Sequence, residues 1–131
     1  MNLFFVLLLL IVCVFIALIY PERCQRHIIS SLKTLNDIKV LSIAVETYYL
    51  DTGELPKRLE NLVPKYIAKL PIEIWVREYQ YKKGDKGDFI IFSLGFDGVK
   101  GGSGASLDIY KETPPSEITE GILVPIFGCQ I

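Results

Sequence analysis

The chain of 131 residues has a single histidine and three cysteines, and its first 21 residues carry no charged side chain. His27 has no cysteine pair, nucleophile motif or zinc-ligand spacing to act with, so we expect no enzyme. Cys13, Cys24 and Cys129 are too few for a disulfide framework, although a pair between Cys24 and Cys129 stays open. The formal net charge of −1, with no basic stripe, argues against a nucleic-acid partner.

All Asp, Glu, Lys and Arg residues lie between Glu22 and the C-terminus. Leu3–Tyr20 reads LFFVLLLLIVCVFIALIY, which as a helix is roughly 27 Å long, enough to cross a hydrocarbon core. No basic start or small-residue cleavage site accompanies the run, so an uncleaved membrane anchor is favoured over a signal peptide. Arg23 and Arg26 follow the run and nothing basic precedes it, which leaves its orientation open on charge alone.

Beyond Pro21, which would normally stop or kink a helix, apolar residues recur in steps of three and four. They are Ile28, Leu32, Leu35, Ile38, Leu41, Val45 and Tyr48. This period predicts an amphipathic helix to about residue 50, and Asp51-Thr52-Gly53 supplies the turn that ends it. The apolar stripe of such a helix has to be covered by the rest of the chain.

The remaining sequence predicts a small antiparallel sheet. Residues 57–63 suit a short helix, and residues 78–82 and 88–94 suit two strands joined by a glycine-containing turn. An apolar hairpin face packed on the helix gives an α+β fold. Residues 113–116 break the chain, and the apolar stretch 121–131 predicts an added strand or a flap over the sheet.

Between the hairpin and this tail lies a glycine-rich loop, residues 95–108, with five glycines in its first ten positions. Its context does not fit a phosphate-binding loop. Asp97 and Asp108, together with backbone carbonyl oxygens, supply the oxygen ligands that Ca²⁺ prefers. From the residues alone a solvated loop, with Asp favoured at its turns, is the stronger interpretation and a calcium site the alternative.

Several stretches resemble the major pseudopilin of type II secretion systems, within the type IV pilin-like class. Residues 48–56 read YYLDTGELP, and residues 70–81 read LPIEIWVREYQY, similar to the family's Leu-Pro-x-Asp-Pro-Trp-Gly-x-x-Tyr-x-Tyr. Residues 93–98 read SLGFDG, and the loop closes with Asp-Ile at 108–109, like the family's calcium loop. The similarity covers about residues 3–110.

The resemblance implies a pilin-like α+β fold with a filament-core or transmembrane segment at 1–21 and an extracytoplasmic head at 22–131. Within that head it places the hairpin at about 78–95 and a tail at 110–131. It also implies calcium ligands at Asp97 and Asp108, a carbonyl ligand at Leu94, and a further contribution from Ser106. Because Ser106 and Leu107 stand where the family has another acid, the expected calcium site is weakened.

The function implied by the resemblance is a structural subunit of a pseudopilus or related filament in protein secretion. Its partners would be the membrane, copies of itself or other pilin-like subunits bound through the N-terminal helix, and the secretion machinery. The implied location is the bacterial inner membrane, crossed once, with the head in the periplasm. Phe4 or Phe5 stands at the place of the family's helix Glu, and Met1 near the start of the mature helix predicts no leader. The Phe favours the alternative, a membrane-anchored pilin-like binding module that does not polymerise, whereas the near-complete head favours the filament subunit.

Overall fold

A computed structural model describes the backbone of residues 3–85, 87–124 and 128–129, and the side chains of residues 4–16, 18, 26–85 and 87–119. The element that organises the fold is helix α1, Leu3–Thr52. Its 50 residues correspond to a rod of about 75 Å. The helix is continuous through Pro21, so the end that a proline often causes does not occur there.

No helix in the described part of the chain combines the length and the apolarity that a membrane crossing requires. The membrane span expected over Leu3–Tyr20 is therefore not confirmed and stays a prediction. The possible pair between Cys24 and Cys129 involves side chains outside the described residues, whereas Cys13 is a free, exposed thiol.

A three-stranded antiparallel sheet lies on the second part of α1 (residues 31–45). Strand β1 is Gln80–Lys83, β2 is Phe89–Ser93 and β3 is Ile109–Tyr110, in the order β1-β2-β3. Tyr81 pairs with Ile91, and Phe92 pairs with Tyr110. The expected hairpin and the α+β arrangement are confirmed, whereas β3 was not anticipated.

The shorter elements close the ends of the fold. A 3-10 turn, Leu59–Leu62, occupies the place of the expected short helix. Helix α2, Pro115–Ile122, precedes the strands β4, Leu123–Val124, and β5, Gly128–Cys129, which pair antiparallel. The strand or flap expected for the tail is thus a helix followed by a two-stranded ribbon in the described residues.

The core forms between one face of α1 and the elements laid across it. Ile38, Leu41 and Val45 of α1 are completely buried, as the three-and-four spacing predicts. The other elements supply buried side chains to the same cluster: Leu62, Tyr79, Ile91, Ile109 and Ile118. This core lies in the head expected at residues 22–131, whose side chains the structure describes at residues 26–85 and 87–119.

Candidate functional site

The glycine-rich loop connects β2 to β3 and is folded back on itself. The Phe96 N–H donates to the Ala105 carbonyl at 2.9 Å, which brings the two limbs of the loop together. A 3-10 turn, Gly104–Ser106, leads into the second limb. The first and last turns of the loop are therefore adjacent in space, although eight residues lie between Phe96 and Ala105 in the chain.

Two positions of the loop need glycine because their backbones lie close to the Ser106 carbonyl group. Gly95 and Gly102 have positive φ angles of 62° and 95°. A Cβ atom at Gly95 would lie 2.7 Å from the Ser106 carbonyl oxygen, and one at Gly102 would lie 2.5 Å from the same oxygen. Any larger residue would meet both a strained backbone and this carbonyl group.

Asp108 occupies the end of the loop and is the more constrained of the two predicted carboxylate ligands. Its Oδ2 accepts the Gly101 N–H at 3.0 Å and the Tyr110 hydroxyl at 3.4 Å. Its Oδ1 is buried and has no hydrogen-bond partner among the described residues. A buried carboxylate oxygen without a partner is costly, so this atom is the observation in the loop that most favours the predicted metal site.

The other predicted ligands are less distinctive. Asp97 is exposed, and its Oδ1 accepts the Val99 N–H at 3.0 Å, a common turn arrangement. Leu94 is half-buried at the end of β2, and Ser106 is half-buried with its carbonyl against Gly95 and Gly102. The fold thus brings Ser106 and Asp108 to the same end of the loop, while the ligand roles of all four residues stay predictions.

No group of three or more His, Cys, Asp and Glu side chains in the described part of the chain could hold a metal ion. A metal at the loop would therefore depend on the two carboxylates together with backbone oxygens. Tyr110 borders this site, and burial, followed by the charge of Asp108, raises the pKa of its phenol. The Tyr110 hydroxyl accordingly stays a hydrogen-bond donor to Asp108 at neutral pH.

A second polar cluster links the loop to the turn before β1, and the sequence did not reveal it. Arg77 pairs with Glu73, whose side chain is 2% exposed, at 3.5 Å. Its Nη2 donates to the Gly95 carbonyl and, at 3.3 Å, to the Phe96 carbonyl. No local sequence pattern indicates that the Arg77 side chain contacts Gly95, 18 residues further along the chain.

Tyr79 joins the sheet to α1 through a hydrogen bond. Its hydroxyl donates to Asp37 Oδ2 at 2.8 Å, and Asp37 also pairs with Lys33. Burial, and then the hydrogen bond to the Asp37 carboxylate, raises the pKa of Tyr79 well above its usual range. This contact aligns the start of β1 with the second part of α1.

The first part of α1 (residues 4–18) has a different character. Its described large apolar side chains, Val6 excepted, are between 45% exposed at Val12 and 73% exposed at Phe4. An apolar surface of this extent on a water-soluble protein marks a site of contact with another protein or a membrane. It is the second candidate functional surface of the chain.

Comparison with known proteins identifies similar chains. The family described as "Type II secretion system (T2SS), protein G" matches residues 29–112, which include the hairpin, the glycine-rich loop and Asp108. The Pseudomonas aeruginosa protein named "Type II secretion system core protein G" is 35% identical over 112 residues, covering 71% of this chain and 79% of that protein.

Two further relatives carry the same name. The Vibrio cholerae protein is 38% identical over 94 residues, which cover 59% of this chain and 64% of the relative. The Xanthomonas campestris protein is 36% identical over 87 residues, with 56% of this chain and 60% of the relative covered. The chain thus spans somewhat less than two thirds of the length of these two relatives.

Proposed function

Since the chain belongs to the type II secretion system protein G family, we propose that it is a structural subunit of a type II secretion pseudopilus, active in protein secretion. The observation that carries the proposal is the family match over residues 29–112, which covers most of the head. Relatives named as core proteins of the secretion system support a structural role in place of a catalytic one.

We further propose that the first part of α1 joins subunits to one another. Its apolar side chains are exposed, whereas the second part of the same helix is buried under the sheet. Side-by-side packing of such helices would cover the exposed surface in a filament. The heads would then lie around this helical centre.

The same segment also supports a proposal of membrane attachment before assembly. The uncharged run Leu3–Tyr20 suits either a hydrocarbon core or a bundle of similar helices, because both environments favour apolar side chains. In this arrangement the chain crosses the bacterial inner membrane once and presents its head to the periplasm, as proposed from the family resemblance.

For the glycine-rich loop we propose a weak calcium site at Asp97, Asp108, Leu94 and Ser106. The buried, unpartnered Oδ1 of Asp108 supports it, and so does the chemistry of the ligand set, since carboxylate and carbonyl oxygens are what Ca²⁺ prefers. Bound calcium would supply positive charge to the end of the loop. The loss of one acid at Ser106 and Leu107 lowers the expected affinity.

The calcium proposal is tested by thermal melting of the full chain in calcium and in chelator. A ligand that binds only the folded state raises the melting temperature, and the rise grows with the logarithm of the free ligand concentration above Kd. Wild type should melt several degrees higher in millimolar calcium, and Asp108→Asn should lose this shift. Asp85→Asn, an exposed control outside the loop, should keep the full shift, whereas an equal shift in Asp108→Asn would indicate a nonspecific effect of the salt.

The secretion role is tested by deleting the gene in its own host and measuring the export of proteins into the medium. We expect export to stop, and a plasmid copy of the wild-type gene to restore it. Leu10→Lys, which places a charge on the exposed apolar surface, should fail to restore export, while Gln80→Lys on the exposed part of β1 should succeed. Unchanged export in the deletion strain would refute the proposal.

A non-polymerising anchored module is the second candidate, and Phe4 and Phe5, 73% and 59% exposed at the place of the family's helix Glu, favour it. The two functions differ in whether copies of the chain contact one another through the first part of α1. Cross-linking at this surface, through the exposed thiol of Cys13, separates them, because a module gives monomers and a filament subunit gives cross-linked dimers.

A further inference from the structure

The turn before β1 is a three-residue hairpin loop. The Glu73 N–H donates to the Arg77 carbonyl at 3.0 Å, and the Val76 N–H donates to the Glu73 carbonyl at 2.9 Å. Val76, the last loop residue, is left-handed with φ 59°, at the position where such loops ordinarily have glycine. This closure sets Glu73 and Arg77 opposite each other, so their side chains can pair.

The Glu73 carboxylate is almost completely buried and depends on this pair. A buried charge without a partner is strongly unfavourable, and Arg77 Nε at 3.5 Å supplies the counter-charge. Pairing through Nε leaves the outer nitrogens of the guanidinium group free to donate elsewhere. Nη2 donates to the carbonyl oxygens of Gly95 and Phe96, so one side chain bridges the turn and the first residues of the glycine-rich loop.

The space around the guanidinium group is closely fitted. A Cβ atom at Gly98 would lie 2.1 Å from Arg77 Nη1, so the bare Cα of Gly98 makes room for the cation. The Trp75 ring centre is 6.0 Å from Arg77 Cζ, and the Trp75 ring in turn contacts the Phe96 ring edge-on. Two carbonyls, a glycine and an aromatic ring thus border the positive charge, while 37% of the Arg77 side chain stays exposed.

We propose that Arg77 is an internal cation of the glycine-rich loop, a positioning residue that holds the first turn of the loop without a metal ion. Backbone carbonyls that converge on a positive charge are the arrangement a bound cation would produce, and an arginine supplies that charge at every physiological pH. The role concerns the start of the loop at Gly95 and Phe96, between the proposed calcium ligands Leu94 and Asp97, and it requires neither bound calcium nor pseudopilus assembly.

Trypsin cleavage after Lys100, an exposed residue within the loop, reports directly on loop opening. Proteolysis of a folded loop follows the population of its open form. In chelator, Arg77→Met should raise the cleavage rate at Lys100 at least about tenfold, because charge-assisted hydrogen bonds to two carbonyls are lost. Arg77→Lys, which keeps the charge but not the planar fork, should recover part of the protection.

Arg58→Met is the matched control, since Arg58 is an exposed arginine whose ion pair with Glu60 spans 3.9 Å. It should leave cleavage at Lys100 at the wild-type rate. The new N-terminus at Gly101 is quantified by mass spectrometry, and circular dichroism checks that each variant is folded. Equal rates in Arg77→Met and Arg58→Met would overturn the proposal.

A double-mutant cycle with Gly98→Ala gives a second test that does not depend on one variant. Gly98 has φ 70°, so Gly98→Ala strains the backbone in either background, and in wild type the added methyl group also displaces the guanidinium. The increase in cleavage should therefore be larger in wild type than when Arg77→Met is already present. Equal effects in both backgrounds would show that the guanidinium does not contact the loop in solution. Both experiments are run in chelator, so a failed calcium site changes neither expected result.

Discussion

The two parts of α1 are built from similar apolar residues and have opposite surroundings. In the first part, Leu10 is 59% exposed and Phe15 is 65% exposed, whereas in the second part Ile38 and Leu41 are completely buried. One helix therefore carries a surface that the chain covers itself and a surface that it leaves open within the described residues. Apolar sequence alone does not decide which of the two surfaces is buried, since the sheet and α2 are the elements that cover the second part of α1.

This difference assigns separate tasks to the two parts. The second part holds the head together through its contacts with Tyr79, Ile91 and Ile109. The first part contributes little to the stability of the head and is available to a partner. Substitutions in the two parts should consequently affect different measurements.

The sharpest test of the comparison pairs Leu41→Ala with Leu10→Ala. Leu41→Ala should lower the free energy of unfolding by about 2–5 kcal/mol, because it leaves a cavity in a closely packed core. Leu10→Ala should change it by less than about 0.5 kcal/mol, as is usual for exposed positions. Urea unfolding of the full chain measures both values. Similar losses in the two variants would show that the head also packs on the first part of α1.

A second substitution examines the polar contact between the second part of α1 and the sheet. Tyr79→Phe removes the hydrogen bond to Asp37 and should cost about 1–3 kcal/mol, since the acceptor is charged. The raised pKa of Tyr79 adds a pH dependence. The Tyr79 phenol contributes its full stabilisation below the unfolded-state pKa of about 10. Above that pH the stabilisation is lost, because the phenol ionises in the unfolded state and stays protonated in the folded state.

The measurement is urea unfolding at several pH values between 8 and about 11. Wild type should lose stability above pH 10 more steeply than Tyr79→Phe, and the two curves should converge. Tyr81→Phe gives the comparison: burial also raises the pKa of Tyr81, but its hydroxyl donates to the neutral Pro56 carbonyl in place of a carboxylate, so this variant should reduce the slope less than Tyr79→Phe. If Tyr79→Phe kept the full wild-type slope, the phenol would not be the group that titrates.

The buried face of α1 and the hairpin could be predicted from the sequence, because the helical period and the alternation of apolar residues in strands are local patterns. The three-and-four spacing correctly predicted Ile38, Leu41 and Val45 as core residues. Residues 78–82 and 88–94 correctly predicted the hairpin. These features depend on neighbours a few positions away in the chain, which a sequence displays directly.

The elements that were missed depend on distant contacts or on short segments. Strand β3 has only two residues, too few for an alternating pattern. Helix α2 begins at Pro115, the second residue of the Pro114-Pro115 pair. Proline is common at the first position of a helix, so Pro115 could have indicated this helix. Arg77 contacts Gly95 across 18 positions, and the unpartnered oxygen of Asp108 depends on burial, so neither can be read from local sequence.

A third substitution should strengthen the head while leaving the first part of α1 unchanged. Val76 is β-branched with φ 59°, a conformation that costs such a residue roughly 1–2 kcal/mol. Val76→Gly removes this strain and should raise the free energy of unfolding by about 1 kcal/mol after the entropy of glycine is subtracted. Val99→Gly, at another exposed valine, should instead be neutral or destabilising. A loss of stability in Val76→Gly would mean that the valine side chain contributes to packing.

The smallest effect is expected for the ion pair that links α1 to the segment after β3. Lys111 Nζ lies 2.7 Å from Glu46 Oε1, and both side chains are more than 40% exposed. Solvent screens such pairs, so Glu46→Gln should change stability by no more than about 0.5 kcal/mol. A larger change in urea unfolding would mean that charge, in addition to apolar burial, attaches the sheet to the second part of α1.

The most direct test of the central claim is cross-linking between copies of the chain at Cys13, the exposed thiol of the first part of α1. With Cys24 and Cys129 replaced by serine, a bismaleimide is added to host cells that assemble the secretion system. Because each chain then has one thiol, the account predicts a cross-linked dimer, which is absent when Cys13 is also replaced by serine. Monomers alone would contradict a subunit that assembles through this surface.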